Sequence, residues 1–339
     1  MILKTLGTAL LAAGLLTSAA LVQAETVRWS RSADVTTLDP HVFNTGTNFV
    51  LMHQMYETLV NRTADGKLKP LLATEWKMLE SDPTVWEFKL RPNVKFHDGT
   101  PLTAKDVVFS LNRARGPNAQ VKSLLASVDS IKAVDDLTVH VKTKGPNLIF
   151  PNNLTNLFIM SEDWAKKNNA TETQDPNSKQ ENGATRAVNG TGAFMLASRE
   201  IDSKTVMKQN PNYWGKDQVG DVTELVYLPI KSPATRVAAL LSGEVDFAQD
   251  IPAQDVARLK QDSKLRINEG PENRSIFLGL NVGAAELKSS NVKGKNPLAD
   301  PKVREAIELA IDRDAIKRIG DARPVQPLGC DGPSLCQRL

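Results

Sequence analysis

Residues 84–114, TVWEFKLRPNVKFHDGTPLTAKDVVFSLNRA, change their hydrophobic period once, and that change restricts the fold more than any other feature of the chain. From Val85 to Leu90 apolar and polar side chains alternate, which predicts a strand with Trp86, Phe88 and Leu90 on one face. Asp98-Gly99 signals a turn. Thr103 then predicts a helix N-cap, with Asp106 three residues on able to return a hydrogen bond as in a short capping box. Val107, Val108 and Leu111 fall on one side of that helix and are expected to face inward. A strand and a helix that are each apolar on one side must bury those sides against another layer. The alternation recurs along the chain. VRWSRS after Glu25 predicts an opening strand, and SIKAVDDLTVHVKT predicts two short strands about Asp135-Asp136. PATRVAALLSGEVDFAQDIP predicts a helix ending near Gly243 and then a strand. The fold class is α/β, with no repeat of solenoid length.

Between these elements, Asp39-Pro40 breaks the chain and Asn44-Thr45-Gly46-Thr47 forms a polar turn. Val50, Leu51, Met55, Tyr56 and Leu59 then make a helical stripe, so the free N–H groups at the helix start could face a ligand, or simply be capped. Residues 167–189 are polar and nearly devoid of large apolar groups, and predict a long surface loop. Gly190 and Gly192 in NGTGAF are expected to set a turn, and Trp214 in NPNYWG is expected in the core.

The chain carries no nucleophile elbow, Walker A loop or HExxH motif. Of its four histidines, His41 and His53 lie twelve apart, which is no standard metal spacing, and His97 reads as a solvated turn residue. No acidic pair suggests acid–base catalysis. The residues thus point to no enzyme, no metal and no cofactor. A formal net charge of +3 gives no reason to expect nucleic acid or an anionic membrane as partner. Lys4, the apolar run Leu6–Leu16, and Val22 and Ala24 at the −3 and −1 positions predict a signal peptide over residues 1–24, cleaved before Glu25. The apolar run is short for a membrane span of about 20 residues. A soluble, exported, periplasmic protein without a direct membrane anchor is therefore expected.

Seven motifs occur in one line: TLDPH, VWEFKLRPNVKFHDGTPLTAKDVVFS, NGTGAF, NPNYWG, LPIKSPATRVAALLSGEVDFAQDIP, FLGLN and NPLADPKVREAIELAIDRDAI. Their joint order resembles the family-5 extracellular solute-binding proteins of ABC transporters, the group of the dipeptide- and oligopeptide-binding proteins. The resemblance runs from about residue 26 to residue 319. It implies a periplasmic-binding-protein type II fold, in which two lobes close on a ligand and an extra domain is inserted in lobe one. Lobe one would comprise residues 25–56 and 159–280, the inserted domain residues 57–158, and the start of lobe two residues 281–319, with the rest of lobe two mostly missing. The implied function is binding of small peptides, without catalysis, and delivery by a monomer to an inner-membrane permease. The alternatives are other family-5 solutes (a nickel complex, glutathione, an opine, an oligosaccharide) or, from another class, a secreted hydrolase. By the same resemblance Asn44, Thr45 and Gly46 would lie along the ligand backbone, with Asn44 where relatives can carry an acidic residue. IFLGLN would be a strand leading into the hinge, with Phe277, Leu280 and Asn281 near the cleft.

After Ile319 the resemblance stops, and both cysteines, Cys330 and Cys336, fall in the remaining residues 320–339. Removing one base near the Ile319–Gly320 codons permits a back-translation with a glycine-bearing turn and then Pro-Pro, as the family places here. Residues 320–339 therefore read as a frameshifted tail, in preference to a disulfide-bonded tail or a two-cysteine metal site, which has too few ligands. On that reading the truncated chain would leave the apolar stripe Val303, Ala306, Ile307, Ala310 and Ile311 uncovered and would not transport.

Overall fold

A computed structural model describes residues 25–178, 180–270 and 276–320, without the side chains of Gln218 and of residues 317–320. The expected signal peptide and nearly all of the expected frameshifted tail, including Cys330 and Cys336, lie outside the described residues. The chain divides into two units, one ending at Gln249 and one beginning at Asp250.

In the first unit, β1 (Glu25–Arg31) leads to α1 (Gly46–Met55), followed by the short hairpin β2 (Val60–Arg62) and β3 (Leu68–Pro70). Next come β4 (Ala73–Leu79), β5 (Asp82–Leu90), α2 (Ala104–Ala114), β6 (Val128–Asp135) and β7 (Thr138–Thr143). Two short helices, α3 (Phe150–Asn153) and α4 (Glu162–Lys167), precede β8 (Phe194–Glu200), β9 (Lys204–Gln209), β10 (Val222–Pro229), α5 (Pro233–Ser242) and β11 (Phe247–Ala248).

Strands β4-β5-β7-β6 form an antiparallel sheet in that order. The predicted alternation holds: Trp86, Phe88 and Leu90 are buried, as are Val139 and Val141 of the paired β7. Helix α2 packs on β6 and β7, burying Val107 and Leu111. Its start is the predicted one, because the Asp106 carboxylate accepts from the backbone N–H of Thr103 at 2.9 Å and from its hydroxyl at 3.0 Å. Val108 is only half-buried, at the edge of the stripe.

The second sheet is mixed, in the order β11-β1-β10-β9-β8. β1 runs parallel to both neighbours, whereas β10, β9 and β8 are antiparallel. Two parallel strands flanking β1 require a crossover, and α5 supplies it between β10 and β11. The helix stops at Gly243, whose φ of 76° lies in the left-handed region that glycine enters without strain.

Three expectations need correction. The helical stripe ends early: Tyr56 and Leu59 are buried but lie beyond α1, with Tyr56 extended at the C-cap. Residues 167–189 are not simply a surface loop, since Ala170, Thr173, Ala184 and Thr185 are buried. The cause is the α2 side chain of Arg113, which draws in the carbonyls of Ala170 and Glu172 at 2.8 and 3.0 Å. The segment IFLGLN is not a strand. Residues 276–282 have no regular structure, because among the described residues of their unit no strand offers the backbone partners that a strand requires.

The second unit contains α6 (Ala253–Leu259), α7 (Pro301–Leu309) and α8 (Arg313–Gly320). Asp300 caps α7 by accepting from the Lys302 N–H, with Pro301 in the first turn. No residue of α7 is buried.

Candidate functional site

The expected ligand segment, Asn44, Thr45 and Gly46, is exposed at the N-terminus of α1. Thr45 is the N-cap in extended conformation, and its side chain makes no capping bond. The Phe49 N–H closes the first turn on the Thr45 carbonyl at 3.1 Å. The N–H groups of Gly46, Thr47 and Asn48 precede that first bond, so they have no carbonyl partner within the helix and carry the positive end of its dipole. A Cβ on Gly46 would meet nothing within 4 Å, so the approach to this backbone is open.

Two buried polar clusters fix the chain on either side of the segment. Upstream, Asp39 and Arg113 form a fully buried bidentate pair at 2.8 and 2.5 Å. The same guanidinium donates to His41 Nδ1 at 3.0 Å, while His41 Nε2 donates to the Phe158 carbonyl at 2.9 Å. This pattern demands a neutral imidazole carrying its proton on Nε2. Burial and the Arg113 charge favour the same form, lowering the His41 pKa to about 4. Burial pushes the Asp39 carboxyl up, but the hydrogen bonds and charge of Arg113 outweigh it and hold the group below its ordinary range. The turn before Asn44 is thus tied to α2 and, through Arg113, to residues 170–172.

Downstream, Glu57 is 4% exposed and accepts from Thr191 Oγ1 at 2.8 Å, the Tyr213 hydroxyl at 3.0 Å and Trp214 Nε1 at 3.0 Å. Burial raises its pKa to about 7 despite those donors. Trp214 is half-buried, and the Arg91 guanidinium stacks 4.0 Å above its ring. Gly190 and Gly192 do more than shape a turn. A Cβ on either would come within 2.1 Å of the Met55 carbonyl oxygen or 2.5 Å of the Met55 carbonyl carbon, so both allow NGTGAF to press against the end of α1.

His97 is not a solvated turn residue. Its Nδ1 accepts from the Gly190 N–H at 3.3 Å, and its Nε2 donates to the Gly192 carbonyl at 3.2 Å. Burial lowers its pKa to about 4.

In the second unit Phe277 is 80% exposed, Leu280 half-buried and Asn281 exposed. The Asn281 carbonyl is taken by the side chain of Asn296 at 2.9 Å. The first group of expected site residues is contiguous in the first unit, and the second lies in an irregular segment of the other. Sequence reasoning missed Glu57, Arg113 and Arg91. The available signals were Glu57 inside the apolar stripe, between Tyr56 and Leu59, and Asp39 inside the TLDPH motif. Among the described residues no group of three metal-ligating side chains comes together. No described helix is long and apolar enough to cross a membrane.

The first unit thus combines a mixed sheet with an exposed helix N-terminus that lies between two buried polar clusters. Residues 67–327 match the Bacterial extracellular solute-binding proteins, family 5 Middle. The chain is 31% identical over 327 residues to the dipeptide-binding protein of Escherichia coli, covering 89% of this chain and 57% of that protein. It is 29% identical over 297 residues to the glutathione-binding protein GsiB of Pectobacterium atrosepticum, covering 86% of this chain and 53% of that one. The solved periplasmic binding protein DppA of Helicobacter pylori, in complex with the peptide STSA, superimposes with a TM-score of 0.60 at 28% identity, covering 71% of this chain and 49% of DppA. The chain belongs to the family-5 extracellular solute-binding proteins, and its fold is of the periplasmic-binding-protein type II class. It spans about half the length of the relatives it matches.

Proposed function

We propose that this chain is the substrate-binding component of an ABC importer, taking small peptides in the periplasm and passing them as a monomer to an inner-membrane permease, with no catalysis. The observation that carries the reading is the family membership together with relatives that bind peptides. A sequence-tolerant peptide binder contacts the ligand backbone and leaves side chains in roomy, wet pockets. The exposed segment Asn44, Thr45 and Gly46, with free N–H groups and open space around Gly46, supports its assignment as one wall of the ligand cleft. Phe277, Leu280 and Asn281 are proposed as further ligand-binding residues. The proposed division keeps lobe one as residues 25–56 and 159–280, the insertion as 57–158 and the start of lobe two from 281. The placement of β4–β7 and α2 wholly within 57–158 is in keeping with it.

Mass spectrometry of ligands retained through purification tests the substrate. Peptides are expected; a sugar, a chelated metal or glutathione alone would reject them, and hydrolysis of an added peptide would reject binding without catalysis. Gly46→Val tests the site. It should weaken peptide binding in calorimetry with little effect on the melting temperature, because a Cβ at this position meets no protein atom within 4 Å. Unchanged affinity would remove this segment from the site.

A further inference from the structure

We propose that a surface pocket of about 300 Å³ beside the C-terminal end of α2 binds a phosphate group. Three cations from separate chain segments line it: Arg115, the C-cap residue of α2, with Lys122 and Lys144. Each is held by backbone carbonyls. Arg115 Nη2 donates to the Val128 and Asp129 carbonyls, both at 3.2 Å. Lys122 Nζ donates to the Pro117 carbonyl at 2.7 Å, and Lys144 Nζ to the Ala126 carbonyl at 2.9 Å.

These bonds position the side chains without neutralising them. Asp129 lines the same pocket, yet among the described residues none of the three cations forms an ion pair, with Asp129 or any other carboxylate. The lining therefore carries an excess of two positive charges. An ammonium has three donors and a guanidinium five, so each group keeps N–H bonds to spare. With one carboxylate among three cations, the excess positive charge favours a further anion in the pocket. A carboxylate offers one charge and two oxygens. A phosphate dianion matches the excess charge and offers acceptors to all three groups at once, and Arg suits it by its planar fork. The pocket shares no residue with Asn44, Thr45 and Gly46 and does not depend on the peptide-binding reading.

The phosphate group could be free or part of a lipid headgroup, and two arms of one experiment separate these. Equilibrium dialysis of the full chain against labelled inorganic phosphate, in chloride of fixed ionic strength, should show saturable uptake. The double variant Lys122→Gln/Lys144→Gln should weaken it by roughly tenfold or more, since it removes two charge-assisted contacts. These lysines are exposed, so the fold should persist, which circular dichroism verifies. Lys77→Gln/Lys166→Gln removes two lysines outside the pocket and should leave uptake unchanged. Flotation with phosphatidylcholine vesicles, with and without phosphatidic acid, forms the second arm. Binding only to the phosphatidic acid vesicles, lost in the pocket variant, assigns a lipid headgroup; uptake of free phosphate alone assigns a soluble one. No uptake in either arm, or equal loss in both double variants, would overturn the proposal.

Discussion

Residues 25–249 and 250–320 contain the same kinds of apolar side chain but bury them to very different extents. In the first unit Phe88, Phe150, Phe158 and Ile159 are fully buried. In the second, Ile276 is 93% exposed, Phe277 80% and Leu309 81%. Among the described residues of the second unit, Leu259 is the one buried hydrophobic side chain. Hydrophobicity does not separate the two. The first unit has sheets whose strands satisfy one another's backbone groups, so its apolar faces can be removed from water without stranding N–H and C=O groups. The second has helices and irregular chain, and no strand among its described residues. A core therefore depends on paired elements that present apolar faces to each other, and an apolar sequence alone does not supply them.

The contrast should be sharpest at ion pairs. Arg113→Met leaves the Asp39 carboxylate buried without its partner and frees the carbonyls of Ala170 and Glu172. We expect a loss of about 3–5 kcal/mol in urea denaturation. Arg313→Met breaks the exposed pair with Glu308 in the second unit and should cost no more than about 1 kcal/mol. Similar losses from both variants would break the comparison.

Side-chain truncation should follow the same division on a smaller scale. Leu111→Ala hollows the interface between α2 and the β4–β7 sheet and should cost about 2–5 kcal/mol. Leu309→Ala removes a side chain that is already in water, and should change stability by no more than about 0.5 kcal/mol. A large effect at Leu309 would reveal a packed second unit.

The smallest expected effect is a difference in pH dependence, and it is confined to the first unit. His41 and His97 are lowered to about 4, so the stability they provide is complete above their ordinary value of 6.5 and is lost as pH falls through 4. Glu57 is raised to about 7 and acts with the opposite sign: its stabilising contribution is complete below 4.5 and is lost as pH rises through 7. Between pH 7 and 4.5 the two oppose each other. Glu57→Gln removes the contribution that grows on acidification, so its stability should fall more steeply than wild type over that window. Parallel melting-temperature curves for the two proteins would exclude a titrating Glu57.

Much of the first unit was legible because its signals are local. Trp86, Phe88 and Leu90 announce a buried strand face by alternation, and Thr103 with Asp106 marks a helix start across three residues. Gly243 marks the end of α5 by its left-handed backbone. The exposed start of α1 was likewise readable from a polar turn before an apolar stripe.

The surroundings of that segment were not legible. Arg113 meets Asp39 across 74 positions, and Glu57 meets Thr191 across 134, from residues that read singly as an ordinary helix arginine and an acid inside a stripe. His97 beside Asp98-Gly99 has every local sign of a solvated turn, and only the approach of Gly190–Gly192 gives it two backbone partners and removes it from water. IFLGLN failed in the other direction, because an apolar run specifies a strand only where another strand stands beside it. By itself the sequence determined where elements begin, end and turn apolar, since those depend on neighbours a few residues away. Which charges are buried, which histidines are neutral and which apolar runs leave water were decided only by tertiary structure, because burial and long-range pairing depend on what the rest of the chain brings alongside.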